Sequence, residues 1–149
     1  LLDPAPYGLF RVAMTVLIWV EITVNNGVPA ALQKLLPDAS LSDPAVRRAA
    51  ELASRFDAAP SASRERMLMA EPPSVGAVEW DAFLGGFAEW LAVRSGMEAP
   101  GWTASPSRFL DRGWWVTPML SMRAWEFAGT PVSLQRRGVF LHRESLINR

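Results

Sequence analysis

Between residues 75 and 96, Trp80, Phe83, Leu84, Phe87 and Leu91 recur three and four positions apart, which puts them on one side of an α-helix. Glu79, Asp81, Glu89 and Arg94 fall off that stripe, and Trp90 points away from it, so the helix is expected to have neighbours on two sides. Gly85-Gly86 lies in its middle, where each glycine costs a helix about 1 kcal/mol relative to alanine. A packing reason is expected for such a pair: either a close helix crossing or a kink. A chain built round this element is a helical one.

The flanking sequence agrees. Ser42-Asp43-Pro44 opens an earlier helix, because Ser or Asp accepts free amide protons and Pro is tolerated in a first turn. Val46, Ala50, Leu52 and Phe56 supply its apolar side, and Arg47, Arg48, Glu51 and Arg55 face water. A short helix over 64–70 stops at Glu71-Pro72-Pro73. After Pro100 come a helical turn through Arg108, Phe109, Leu110 and Asp111, an extended or turn-like Trp114-Trp115-Val116, and a short helix over 121–127. Thr130-Pro131 then reads as a helix start, with Thr as the cap, and Arg136-Arg137-Gly138 as the exit. Val139-Phe140-Leu141 is a very short strand or a buried link, and residues 143–148 a last turn. The stretch 9–24 is ambiguous between helix and strand and is taken as a buried helix, stopped by Asn25-Asn26-Gly27; residues 28–36 form a short helix that Pro37 ends.

The expected fold class is all-α or nearly so: a compact multi-helix domain with an irregular, Trp-rich C-terminal segment. Residues 1–57 are expected as an N-terminal helical segment, an extension or a linker, and residues 58–149 as the main domain. The small-residue connection over 58–63 is the best candidate for a boundary within what is otherwise one compact unit.

What the chain lacks removes several chemistries. With no Cys there is no disulfide framework, thiolate metal site, iron–sulfur cluster or cysteine nucleophile, which fits a cytoplasmic protein. The single His142 excludes sites that need two imidazoles. No phosphate-cradling Gly-rich loop and no G-x-S-x-G elbow is present. The apolar run over 9–24 is interrupted by Arg11 and Glu21 and falls short of the ~20 residues that span a bilayer, so no membrane role is expected. No cofactor or metal is expected. The chain opens on Leu1 rather than Met, which leaves room for an upstream module.

Charge sharpens the picture. Fifteen basic residues balance fifteen acidic ones, but residues 1–104 sum to −4 and residues 105–149 to +4. The C-terminal part is therefore the plausible docking surface for something acidic, although a solvated face is the plainer explanation. Within it and just before it, Trp102, Arg108, Phe109, Arg112, Trp114, Trp115, Arg123 and Trp125 form an aromatic-basic cluster, which Arg136 and Arg137 extend. Trp and Arg dominate protein–protein hot spots, and the same mixture can stack unpaired nucleobases. The plainer alternative is a satellite core in which tryptophans fill space and arginines cover them. An alternative polar site is His142 with Glu144, a general base held by a carboxylate; a capping or partly buried histidine is the plainer use. Glu79 and Asp81 point in different directions and make a poor acid/base pair. No catalytic residue is assigned.

One ordered series of motifs looks familiar: Glu71-Pro72-Pro73, Trp80-Asp81-Ala82-Phe83-Leu84, Ala88-Glu89-Trp90-Leu91-Ala92, Pro100-Gly101-Trp102-Thr103, Pro106-Ser107-Arg108-Phe109-Leu110-Asp111, Trp114-Trp115 and Arg136-Arg137-Gly138-Val139-Phe140-Leu141. The series resembles the C-terminal domain of a group of actinobacterial proteins, many with an N-terminal helix-turn-helix, some of which look like antitoxin or regulator partners of nucleotidyltransferase-type toxins. The resemblance covers roughly residues 50–149. It implies a non-enzymatic regulatory or toxin-neutralising module that binds a protein partner, such as a toxin encoded nearby. DNA would be reached only through a module that these 149 residues do not contain, and homo-oligomerisation stays open. Nucleic-acid binding through residues 105–149 and a small-molecule or enzymatic site at His142 are the alternatives.

Overall fold

Helices dominate the computed structural model, which describes residues 43–147. The elements are α1 (Asp43–Ala58), α2 (Ser61–Met69), α3 (Val78–Arg94), β1 (Trp114–Trp115), α4 (Arg123–Gly129), α5 (Val132–Gln135) and β2 (Val139–Phe140). Single 3-10 turns at Gly101–Ala104, Pro106–Arg108, Leu120–Met122 and Arg143–Leu146 fill the C-terminal segment. The helices expected over 9–24 and 28–36 lie outside the described residues.

α3 is the central element. It is buried without a break from Trp80 to Ala88, so it is not amphipathic but enclosed by the rest of the chain. Each fully buried Phe, such as Phe83 and Phe87, contributes on the order of 1.5–3 kcal/mol by leaving water. The glycine pair marks a close crossing. A Cβ on Gly86 would lie 2.6 Å from Leu134 Cδ2 and 3.0 Å from the Ser133 carbonyl, so α5 rests directly on the α3 backbone. A Cβ on Gly85 would lie 2.9 Å from Arg108 Cβ and 3.2 Å from Arg137 Nε. Of the two reasons the sequence allowed, the structure uses the crossing.

α1 follows its expected amphipathic pattern with a broader stripe: Ala45, Ala49, Leu52, Ala53 and Phe56 join the core, and Val46 packs at its edge. It packs against the last 3-10 turn, whose Leu146 is buried. The joint between α1 and α2 is bridged by Arg64, whose Nε donates to the Phe56 and Ala59 carbonyls at 2.9 Å each. The Phe56 carbonyl, in the last turn of α1, also accepts from the Ala59 amide at 3.2 Å, so Arg64 adds a side-chain clasp to a turn that the backbone begins.

Two expectations need correction. Asp81, read as lying off the apolar stripe, is buried; its carboxylate accepts from Ser74 Oγ at 2.6 Å and from the Val75 amide at 3.0 Å. Thr130 does not cap α5 with its side chain. Its Oγ1 donates to the Glu126 carbonyl at 2.5 Å and accepts from the Leu141 amide at 3.2 Å, while Pro131 precedes the helix. The helix start is where the sequence put it, but a long-range amide competes for the hydroxyl.

The segment after α3 is the nearly-α part. Trp114 and Trp115 pair in parallel with Val139 and Phe140. A parallel pair needs a long crossover, which α4 and α5 supply. Gly138, at φ +77°, makes the sharp exit from α5 into β2, a conformation that favours glycine. Among the described residues no helix is long and apolar enough to cross a membrane.

Candidate interaction surface

The aromatic-arginine cluster divides into two layers. Arg108 and Arg137 are buried, at 3% and 0% exposure. Arg108 reaches back to the α2–α3 link. Its Nη2 donates to Glu71 Oε1 at 3.1 Å and to the Pro72 carbonyl at 2.9 Å, and its Nη1 lies 3.6 Å from Asp81 Oδ1. Arg137 ties three elements: Nη1 donates to the Ser133 carbonyl at 2.6 Å and approaches Glu89 Oε2 at 2.5 Å, and Nη2 donates to the Thr103 carbonyl at 2.6 Å. Burial lowers the Arg137 pKa and Glu89 pulls it back; the guanidinium remains charged. Both side chains lie against aromatic rings, Arg108 over Trp102 at 5.1 Å and Arg137 over Phe109 at 4.7 Å. Trp102 donates from Nε1 to the Leu68 carbonyl at 2.9 Å, and Trp114 meets Trp80 edge-on at 5.0 Å. These four residues are the satellite core that the sequence offered as its plainer alternative.

The second layer faces outward. Arg112, Arg123 and Arg136 are exposed. Arg136 pairs with Glu89 at 2.7 Å, but Arg112 and Arg123 have no carboxylate partner among the described residues. Arg123 instead lies over Trp115 at 5.4 Å. Trp115 stacks on Phe140 at 4.3 Å, and Phe140 on Phe127 at 5.6 Å. Arg123 and Phe127 share a side of α4 through their four-residue spacing. Leu120 is 71% exposed, and Met119 and Phe127 are more than half exposed. The result is a ridge of stacked rings, Phe127, Phe140 and Trp115, edged by Arg123, with Met119 and Leu120 exposed in the segment that leads into α4. Sequence reasoning found Trp115 and Arg123 of this ridge from the Trp-Arg signal. It missed Met119, Leu120, Phe127 and Phe140, because nothing local distinguishes an exposed apolar residue from a core one.

His142 and Glu144 do not form the carboxylate-held base considered for them. The Glu144 amide donates to His142 Nδ1 at 3.1 Å, so the imidazole caps the final turn, and its ring stacks on Trp125 at 3.6 Å between centroids. The acid that His142 influences is Glu126, a buried residue that the sequence did not single out. Its helix is seven residues long, too short for a stripe to reveal which side is inward. Among the described residues no three His, Asp or Glu side chains gather as a metal site.

Comparison with family models, with curated proteins and with solved structures finds no match.

Proposed function

We propose that this chain is a non-enzymatic interaction domain, antitoxin-like or part of a prokaryotic transcriptional regulator, that acts in the cytoplasm by binding a partner protein. In this reading the whole chain folds as one compact all-α unit, and the partner is a toxin encoded nearby, as the motif series implies. The observation that carries the interaction reading is the ring stack of Trp115, Phe140 and Phe127 edged by Arg123, with Met119 and Leu120 exposed in the segment leading into α4. Large apolar side chains left in water next to rigid aromatic rings are what a protein partner covers. Arg112 and Arg123, without carboxylate partners among the described residues, favour a partner that brings its own carboxylates.

A nucleic-acid strand fits less well. Its affinity comes from several phosphate contacts, and although the rings Trp115, Phe127 and Phe140 offer stacking, Arg123 is the one cation placed over them among the described residues.

Co-expression with the neighbouring gene product tests the reading, using Leu120→Ser/Phe127→Ser beside the unaltered chain. Leu120 is 71% exposed and its change is expected to cost about 0.5 kcal/mol or less, while that of Phe127, which stacks on Phe140, is expected to cost about 0.5–1.5 kcal/mol, leaving the fold intact. Partner retention is expected to fall tenfold or more, as at a hot spot worth about 2 kcal/mol. A double variant that retains the partner fully would refute the assignment of this face. Binding to DNA or RNA that weakens steeply with salt would favour the nucleic-acid alternative instead.

A further inference from the structure

Beneath the ridge, α4 carries a carboxyl group that packing alone does not explain. Glu126 is 1% exposed although its neighbours Trp125 and Phe127 are exposed. Thr117, in the loop after β1, hydrogen-bonds to the carboxyl, but Oε2 has no hydrogen-bond partner. The His142 segment closes over this side of the helix. The His142 ring stacks on Trp125 with an interplanar angle of 5°, and a Cβ on Gly129 would overlap that ring, so only glycine admits it. Arg143 Nε donates to the Gly129 carbonyl at 3.3 Å, and Leu141 is held through Thr130.

A buried carboxylate needs two or three donors to stay charged comfortably, and this seat supplies one hydroxyl. The neutral carboxyl suits it better. The titratable group that acts on it is His142; Arg143 and Glu144 flank that histidine in the chain, and Arg123, three residues earlier on the same helix, lies over Trp115. Burial pushes the Glu126 carboxyl up from 4.5, and Thr117 and His142 only partly offset it.

We propose that Glu126 is a proton-controlled latch for the docking surface. Neutral, it lets α4 sit closed on the His142 segment and fixes Trp125 and Phe127 in place. Ionised, it opposes that seat and loosens the ridge. The sign follows from the raised value: the latch is fully closed below the ordinary glutamate range and weakens as pH rises through the folded-state value. That loosening alters docking rests on the interaction reading above; the latch itself is tested without a partner, so the two can fail separately.

The test uses the full chain. The Glu126 carboxyl carbon is titrated by NMR, with the Trp125 indole followed in parallel, and urea unfolding is measured against pH for the unaltered chain and for Glu126→Gln. Expected are a Glu126 midpoint above 4.5, a Trp125 signal that moves with the same midpoint, and a folding constant that falls by up to about tenfold per pH unit over that window. Glu126→Gln, a permanent mimic of the neutral acid, should remove that slope. His142→Gln should raise the Glu126 midpoint further, which a merely space-filling histidine would not do. A midpoint at or below 4.5, a Trp125 signal that does not follow it, or an unchanged slope in Glu126→Gln would overturn the latch. If Glu126→Gln does not fold, the carboxyl and indole titrations of the unaltered chain decide the question.

Discussion

Replacing Arg137 with alanine is expected to cost about 3–5 kcal/mol of folding stability, the range for removing one partner of a buried ion pair. That loss corresponds to roughly 6–20 °C in Tm for a domain of this size. The side chain is completely buried and touches the Ser133 and Thr103 carbonyls as well as Glu89. Truncation would leave both carbonyls short of a donor and a large void below Phe109, while Glu89 would keep only its exposed pairing with Arg136. Arg137→Lys should recover only part of the loss, because an ammonium cannot reproduce the planar fork that spans two carbonyls. Thermal and urea unfolding followed by circular dichroism measure both variants. An alanine variant within 1 kcal/mol of the unaltered chain would show that this arginine is not the tie between α3, α5 and the Gly101–Ala104 turn.

Gly86→Ala carries the second large effect, and its sign is the informative part. Helix propensity alone would make alanine more stable by about 1 kcal/mol. The new Cβ would meet Leu134 Cδ2 at 2.6 Å, the Ser133 carbonyl at 3.0 Å and Leu134 Cα at 3.1 Å. Two of those three atoms belong to the backbone of α5, so relief requires the helices to separate. A net loss of about 1–3 kcal/mol is expected, as for overpacking in a dense core. Gly101 provides the control, since nothing lies within 4 Å of a Cβ placed there. Gly101→Ala should be close to neutral in the same urea titration. Equal effects at the two positions would remove the close crossing as the reason for the glycine pair.

What could be read from sequence, and what could not, divides along contact range. The α3 stripe and the need for a packing explanation at Gly85-Gly86 are local properties, and so are the exit at Gly138 and the stop at Pro72-Pro73. Asp81 was misjudged because its partners, Ser74, Val75 and Arg108, are set by how a loop folds back on the helix. The same limit applies to the arginines. Nothing within residues 105–149 distinguishes Arg108 and Arg137, which find Glu71, Asp81 and Glu89 far upstream, from Arg112 and Arg123, which do not. The +4 charge of that segment therefore overstates its surface: two of the cations are structural. β1 and β2 are two residues each, below the length at which alternation becomes a signal, and their pairing is parallel across two helices.

The central claim is that the Trp-Arg segment has an inner layer that holds the fold and an outer ridge that binds. The most direct measurement pairs Tm with partner retention, in co-expression with the neighbouring gene product, for Arg137→Ala and Leu120→Ser/Phe127→Ser. The expected result is a separation of effects: Arg137→Ala lowers Tm sharply, while the ridge variant lowers it only slightly and loses the partner. A ridge variant that folds and keeps its partner would contradict the division.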